Sequence, residues 1–442
     1  MRDMVHASQL AGHTAVVVGA GASGRAAVLL LSRLGAWVRL VEKNPAAVPA
    51  DFREAAAGAG VEIVTGEHVP GHFAGADLVV LSPGVSKASL APYLGSCPDA
   101  QVLAELELAS WFVDAPVVAV TGTNGKTTTV MLISHLLTSS GLSVFTGGNI
   151  GTPLSEYVLA GKSADVCVIE ASSFQLQGVA TFRPAVAVLL NFSANHLDWH
   201  ADMEEYLSAK LKIFAMQGPS DLALIPEDLA GMLAGRAFTK ARIETFAPSD
   251  RFRCPRLLGR HNQADMEAAY AACRPFGVTE ELAGKAFFDF VPAPHRLQVV
   301  GEKRGVVFVD DSKATTVTAM RAAIETFDRP VWLLAGGVFK GGDLAGLVPL
   351  LRERVKGVGL FGASRDIFEA AWAGAVPLSW SPTLAGAVET VYARAEPGDV
   401  ILLSPATASF DLYTDYKARG RDFQSAFANL AGGPVSREGE GR

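Results

Sequence analysis

Val117-Val118-Ala119-Val120, an apolar run rich in β-branched residues, passes directly into Thr121-Gly122-Thr123-Asn124-Gly125-Lys126-Thr127-Thr128. Beyond it Val130, Ile133 and Leu137 recur at three- and four-residue spacing before Gly141. The order is therefore strand, glycine turn, helix. In such a turn successive backbone N–H groups can ring a polyphosphate at the positive end of the helix. Lys126 is suited to the β and γ oxygens, and the Thr127 hydroxyl to Mg²⁺. Gly122, Thr123, Asn124, Gly125, Lys126, Thr127 and Thr128 are the candidate ATP-binding residues. The strict phosphate-loop pattern opens on glycine where this chain has Val120. Two further strands, Val166–Ile169 and Val186–Leu190, end in Glu170 and Asn191 at the edge where open α/β sheets place ligands. Glu170 supplies hard oxygen atoms for Mg²⁺ beside Thr127.

The same alternation recurs on both sides, so the expected fold is α/β throughout. Upstream lie the runs Ala15–Val18, Val38–Val41, Val61–Val64 and Leu78–Leu81, with a helix over Arg25–Leu34 closed by Gly35. This amounts to about half of a doubly wound sheet. Gly19-Ala20-Gly21-Ala22-Ser23-Gly24 joins its first strand and helix, where bare backbone can approach a phosphate, and Glu42 ends the next strand in reach of a ribose hydroxyl. A second phosphate loop begins before six strands are complete, so a mononucleotide diphosphate suits the half-site, with NAD the alternative. A tight turn that needs glycine conformations is the competing reading, and the strand-turn-helix context favours a nucleotide over it. Downstream, Pro292-Ala293-Pro294 suits a linker, followed by strands at Val306–Val309, Val331–Leu334, Val358–Phe361 and Val400–Leu403. Three domains are expected: a Rossmann-like half-sheet over 1–104, a phosphate-loop ATPase domain over 105–292 and a Rossmann-like domain over 293–442.

The length of 442 residues fits three domains of ordinary size. Hydrophobic residues make up 49% and charged residues 19%, enough apolar surface for several cores and too much for disorder. A net charge of −7 gives no diffuse positive field for nucleic acid or anionic lipid, so any bound anion needs a local site. Cys97, Cys167, Cys254 and Cys273 fit neither a zinc pattern nor a secreted disulfide framework. With no signal or spanning segment at the start, a soluble, cytoplasmic protein is expected, its charged tail Arg437–Arg442 frayed.

More motifs follow in order: Glu170-Ala171-Ser172-Ser173-Phe174-Gln175, Asn195-His196-Leu197-Asp198, Asp311-Ser312-Lys313-Ala314-Thr315 and Ser404-Pro405-Ala406. With the phosphate loop, these make the sequence resemble the Mur ligase family, ATP-dependent amide ligases that assemble the stem peptide of bacterial cell-wall precursors. The member it looks most like joins D-glutamate to UDP-N-acetylmuramoyl-L-alanine. The resemblance implies a monomer whose domains take, in order, the UDP-sugar, Mg-ATP and glutamate, with ATP and two magnesium ions required. It implies phosphorylation of the alanyl carboxylate to an acyl phosphate, then attack by the glutamate amine.

Residue by residue, the resemblance makes Lys126, Glu170, His196, Lys210 and Arg296 catalytic. Thr127 and Glu170 would hold one metal. His196 would hold a second with Lys210, whose amine would carry a carbamate and so become an oxygen ligand. Asn195 stands where many relatives have Asp. Asn262 would meet adenine, although Asp265 replaces a second Asn; Arg296, in Pro294-His295-Arg296-Leu297, would reach the ATP phosphates, and Asp311 the ribose. Ala22, Ser23, Glu42, Ser82, Gly84, Asn149, Ser172 and Gln175 would line the UDP-muramoyl-alanine site. Lys313, Thr315, Lys340, Ser409 and Tyr416 would grip glutamate, with Tyr416 where relatives tend to have Phe.

Other functions remain open on the sequence. A sister ligase would share the ATP site but add another amino acid, for example L-glutamate, since both enantiomers carry the same charges. A nicotinamide oxidoreductase would use Gly19–Gly24 and leave Lys126 idle. A regulatory protein would bind nucleotide without forming product.

Overall fold

The computed structural model describes residues 10–196 and 199–430. Leu197, Asp198 and the tail Arg437–Arg442 lie outside the described residues. The first sheet is built from β1 (Thr14–Val18), β2 (Trp37–Glu42), β3 (Glu62–Thr65), β4 (Leu78–Leu81) and β5 (Gln101–Ala104). Its order is β3-β2-β1-β4-β5, and every pairing is parallel. All four residues of β4 and four of the five in β1 are buried, because helices cover both faces; this is why they read as unbroken apolar runs rather than alternation.

The second sheet contains β6 (Val117–Thr121), β7 (Val144–Gly148), β8 (Val166–Glu170), β9 (Val186–Leu189), β10 (Leu222–Pro226) and β11 (Arg242–Phe246). The parallel order β11-β10-β9-β6-β8-β7 puts β6 between β8 and β9. The chain thus leaves β6 in one direction and returns on its other side, which opens a crevice at the carboxyl ends. Glu170 and Asn191 flank that crevice because they end the two neighbouring strands.

The third sheet runs β12 (Gln298–Lys303), β13 (Val306–Asp310), β14 (Val331–Gly336), β15 (Val355–Phe361), β16 (Leu378–Ser381) and β17 (Val400–Leu403), in the order β12-β13-β17-β14-β15-β16. Only the edge strand β12 is antiparallel, against β13. The first two sheets share one compact unit, Met1–Ala247 with Asp265–Ala286; the third belongs to a second, Pro248–Ala264 with Phe287–Arg442.

Every strand read from the sequence is present, and the first helix begins earlier than expected, at Ala22, ending at Arg33. The structure adds six strands to those expected from the sequence: β5, β7, β10, β11, β12 and β16. Within the first unit a buried carboxylate ties the helix Glu105–Ser110 to the segment that leads into β9. Glu107 accepts bonds from the Ala180, Thr181 and Phe182 amides, the Thr181 hydroxyl and Trp111 Nε1, at 2.5–3.2 Å. A buried charge is tolerated only with such donors. All four cysteines are buried free thiols, and no described helix is long and apolar enough to cross a membrane.

Candidate active site

The loop between β6 and the helix Lys126–Ser139 is shaped by two glycines. Gly122 has φ +153°, and a Cβ there would stand 3.0 Å from Leu190 Cβ. Gly125, at φ +82°, begins the helix with an Asp265 carboxylate oxygen 2.6 Å from where a Cβ would sit. A side chain at Gly125 would be both strained and blocked. The sequence had left Asn191 without a role, and the structure supplies one. Its Oδ1 accepts from the Thr123 and Asn124 amides at 3.1 and 2.9 Å, and its Nδ2 donates to Asn124 O at 3.1 Å. Thr123 Oγ1 also accepts from the Ser193 amide at 3.1 Å. The loop is therefore pinned from β9.

Two lysines converge on one carbonyl. Lys126 Nζ donates to Gly122 O and Thr123 O at 2.9 Å each, and Lys210 Nζ donates to the same Gly122 O at 2.8 Å. Lys210 is 1% exposed and lies over the Tyr206 ring at 4.4 Å. Burial first, and the nearby Lys126 charge second, hold its amine well below the ordinary lysine value. On the other flank, Thr127 Oγ1 donates to Glu170 Oε2 at 2.7 Å and Asn149 Nδ2 to Glu170 Oε1 at 2.9 Å. Glu170 is 3% exposed, its two oxygens accepting from a hydroxyl and an amide. Thr128 is buried in the first helical turn.

His196 sits at φ +56°, its ring edge-on to Phe174 at 4.8 Å and to Tyr206 at 6.0 Å. The nitrogens of the buried His200 meet Ser173 Oγ at 3.0 Å and Gln177 Nε2 at 3.3 Å. Among the described residues no three His, Cys, Asp or Glu side chains are grouped to hold a metal. Ser172 and Gln175 form a capping box at the helix Ser173–Gln177, and the buried Gln175 Nε2 has no acceptor. An amide donor left over in this way is the kind of group a ligand would complete.

In the Gly19–Gly24 loop a Cβ on Gly24 would lie 1.9 Å from Gly19 O, so helix and loop touch backbone to backbone. Glu42 turns onto its own chain: Oε2 accepts from the Ala20 amide at 2.7 Å and Oε1 from the Asn44 amide at 2.9 Å. Ser82 Oγ donates to Gly19 O at 3.0 Å. Ser23 and Ser82 are buried, while Ala22 and Gly84 are exposed.

The remaining sequence-derived residues belong to the second unit. Asn262 Nδ2 donates to Leu258 O at 2.6 Å. Arg296, half-buried, lies between His295 and Leu297, which both have positive φ. His295 Nδ1 pairs with Asp310 at 2.7 Å, and the Leu297 amide donates to Asp311 Oδ1 at 3.2 Å, so the segment that presents Arg296 is clamped on both sides. Burial pushes the Asp311 carboxyl up to about 7, against the opposing bonds from Ser404 and Leu297. Lys313 Nζ lies over the Tyr416 ring at 4.2 Å. Thr315 is half-buried, Ser409 buried and Lys340 exposed.

Comparison with known proteins extends this picture. Residues 120–253 match the Mur ligase middle domain, and residues 295–407 the Mur ligase, glutamate ligase domain. A protein of Nitratidesulfovibrio vulgaris named UDP-N-acetylmuramoylalanine–D-glutamate ligase is 58% identical over 422 residues, 95% of this chain and 97% of its own. One of the same name from Salinibacter ruber is 39% identical, covering 94% and 98%. Among solved structures, MurF ligase from Thermotoga maritima in complex with ADP aligns with a TM-score of 0.61 over 97% of this chain and 98% of its own. At 18% identity that likeness is one of fold.

Proposed function

This chain belongs to the Mur ligase family, and on that basis we propose that it joins D-glutamate to UDP-N-acetylmuramoyl-L-alanine, with ATP converted to ADP and phosphate, in peptidoglycan precursor synthesis. The observation that carries the reading is the β6 loop, where Lys126 and the Thr127–Glu170 pair flank one helix N-terminus.

An alanyl carboxylate oxygen attacks the γ-phosphorus, the bond to the β-phosphate oxygen breaks and ADP leaves. The glutamate amine then adds to the acyl carbon; the tetrahedral species expels phosphate, and the amine proton passes to solvent or a base. Two anions meet in the first step, so positive charge must screen them. Lys126 and the loop amides act on the γ-phosphate, and Arg296 adds a planar, permanent charge there. Asn262 and Asp311 serve adenine and ribose. Ala22, Ser23, Glu42, Ser82 and Gly84 line the UDP end of the acceptor, and Asn149, Ser172 and Gln175 its muramoyl-alanyl end, with Gln175 Nε2 free to donate. Lys313, Thr315, Lys340, Ser409 and Tyr416 grip the two carboxylates of glutamate.

The metal sites fit hard cations. Thr127 Oγ1 and Glu170 Oε2, 2.7 Å apart, are oxygen donors that would hold Mg²⁺, which when bound lends charge to the phosphate oxygens. His196 and a carbamate on Lys210 would hold a second ion. A carbamate forms only on a neutral amine, and burial favours that form of Lys210. Because the folded amine is depressed, lowering the pH through its folded value protonates it and removes the nucleophile. Assays depleted of CO₂ should therefore run slowly, more so at lower pH, and recover with bicarbonate; an unchanged rate would remove Lys210 from the metal site.

The test of the whole reading is phosphate release with UDP-N-acetylmuramoyl-L-alanine and each of D- and L-glutamate. D-glutamate should support turnover and L-glutamate should not. Turnover with L-glutamate or another amino acid instead would reassign the protein to a sister ligase.

A further inference from the structure

The helix Tyr416–Asn429 carries one side chain that no step above uses. Arg419 is 0% exposed. Its Nε donates to Ser312 Oγ at 3.0 Å and its Nη2 to Ser312 O at 2.8 Å and Thr407 O at 3.1 Å. Its Nη1 reaches Thr407 Oγ1 at 3.2 Å, and Gly336 O and Ala408 O at 3.4 Å each. The partners reinforce one another. Ser312 Oγ donates to Tyr416 O at 2.8 Å, and Thr407 Oγ1 to Gly336 O at 2.5 Å. Val338 and Ala408 exchange backbone bonds at 2.8 and 3.0 Å. The wrapping is tight: at Gly337, φ +130°, a Cβ would stand 2.3 Å from Ala408 O and 3.1 Å from Arg419 Nη1.

These acceptors lie at the roots of particular segments. Ser312 directly precedes Lys313 and Thr315; Gly336 opens the loop to Lys340; Thr407 and Ala408 lead into Ser409; Tyr416 lies one helical turn before Arg419 itself. We propose that Arg419 is the positioning residue of the amino-acid site, holding in register the four segments that carry Lys313, Thr315, Lys340, Ser409 and Tyr416. This rests on the assignment of those five residues to glutamate.

A structural filler would not need a charge. Burying a guanidinium among neutral acceptors is unfavourable relative to an apolar side chain of similar volume. All six acceptors here are hydroxyl or carbonyl oxygens. The neighbouring carboxylates bond elsewhere, Asp310 with His295, Gln424 and the Ser312 amide and Asp411 Oδ2 with the Ala363 amide, and act on the guanidinium through their charge. Burial lowers the guanidinium only to about 10, so it stays protonated at neutral pH. The forked guanidinium thus ties together the loops at the carboxyl ends of β13, β14 and β17, which an apolar side chain of the same volume would not do.

The test is steady-state kinetics of Arg419→Lys and Thr407→Val alongside the wild type. Lysine keeps the charge but cannot fork to several loops at once. Arg419→Lys should raise the KM for D-glutamate about 10- to 100-fold, and Thr407→Val, which deletes one acceptor, about 3- to 10-fold. The KM for ATP should stay within about twofold in both, a split that general loosening of the fold would not produce. Unchanged glutamate KM values, or KM values for ATP and glutamate rising together, would overturn the proposal. A wild type idle with D-glutamate would instead defeat the functional reading, and the variants would then be judged on the amino acid that does support turnover.

Discussion

Lys126→Ala protein is expected to form ADP on the order of 10³-fold more slowly than the wild type, at saturating substrates. The ammonium lies on the Gly122 and Thr123 carbonyls, and in the proposed reaction it would move onto the β and γ oxygens of the nucleotide. Its charge is most useful as the carboxylate nears phosphorus, when negative charge is densest. The fold should survive. Lys126 is only half-buried and the Gly122 carbonyl keeps its bond from Lys210, so the melting temperature should move by no more than about 2 °C. Loss of that charge also removes one of the two influences that depress Lys210, so the Lys210 pKa should rise in the variant. Near-normal ADP formation would show that the nucleotide sits elsewhere.

Glu170→Gln should lower kcat about 10²-fold or more and shift the Mg²⁺ requirement to higher concentration. Glutamine fits this position closely. Its Oε1 can still accept from Asn149 Nδ2, and its Nε2 can donate to Thr127 Oγ1, so both contacts of Glu170 persist with the charge gone. The substitution separates charge from shape. A variant with normal rate and normal Mg²⁺ dependence would mean that Glu170 only braces the end of β8.

The centre of the site was legible because a strand, a glycine turn and a Lys-Thr helix start form a local pattern with a chemical reason behind each residue. What was hidden depends on strand order or on distant partners. Asn191 was visible as a polar residue at a strand end, but its hold on Thr123 and Asn124 follows only once β9 pairs with β6. Arg419 reads in sequence as one of several cations, with Lys417 and Arg421, on a polar helix, and nothing local reveals that it alone is enclosed by three loops. The unrecognised strands have their own disguises. β11 and β12 are sheet-edge strands that mix polar residues with exposed apolar ones, β7 ends in two glycines, and β10 ends in Pro226, which also starts a helix. Glu42, placed by its sequence position on a ribose, turns back onto the Ala20 amide because that buried loop amide is its nearest donor.

The central claim is that the β6 loop passes a phosphoryl group from ATP to a carboxylate, and oxygen labelling follows that transfer atom by atom. UDP-N-acetylmuramoyl-L-alanine labelled with ¹⁸O in both carboxylate oxygens should give inorganic phosphate that carries a single ¹⁸O for each amide formed, the other label staying in the product carbonyl. Phosphate free of label, released at the rate of amide formation, would contradict the account.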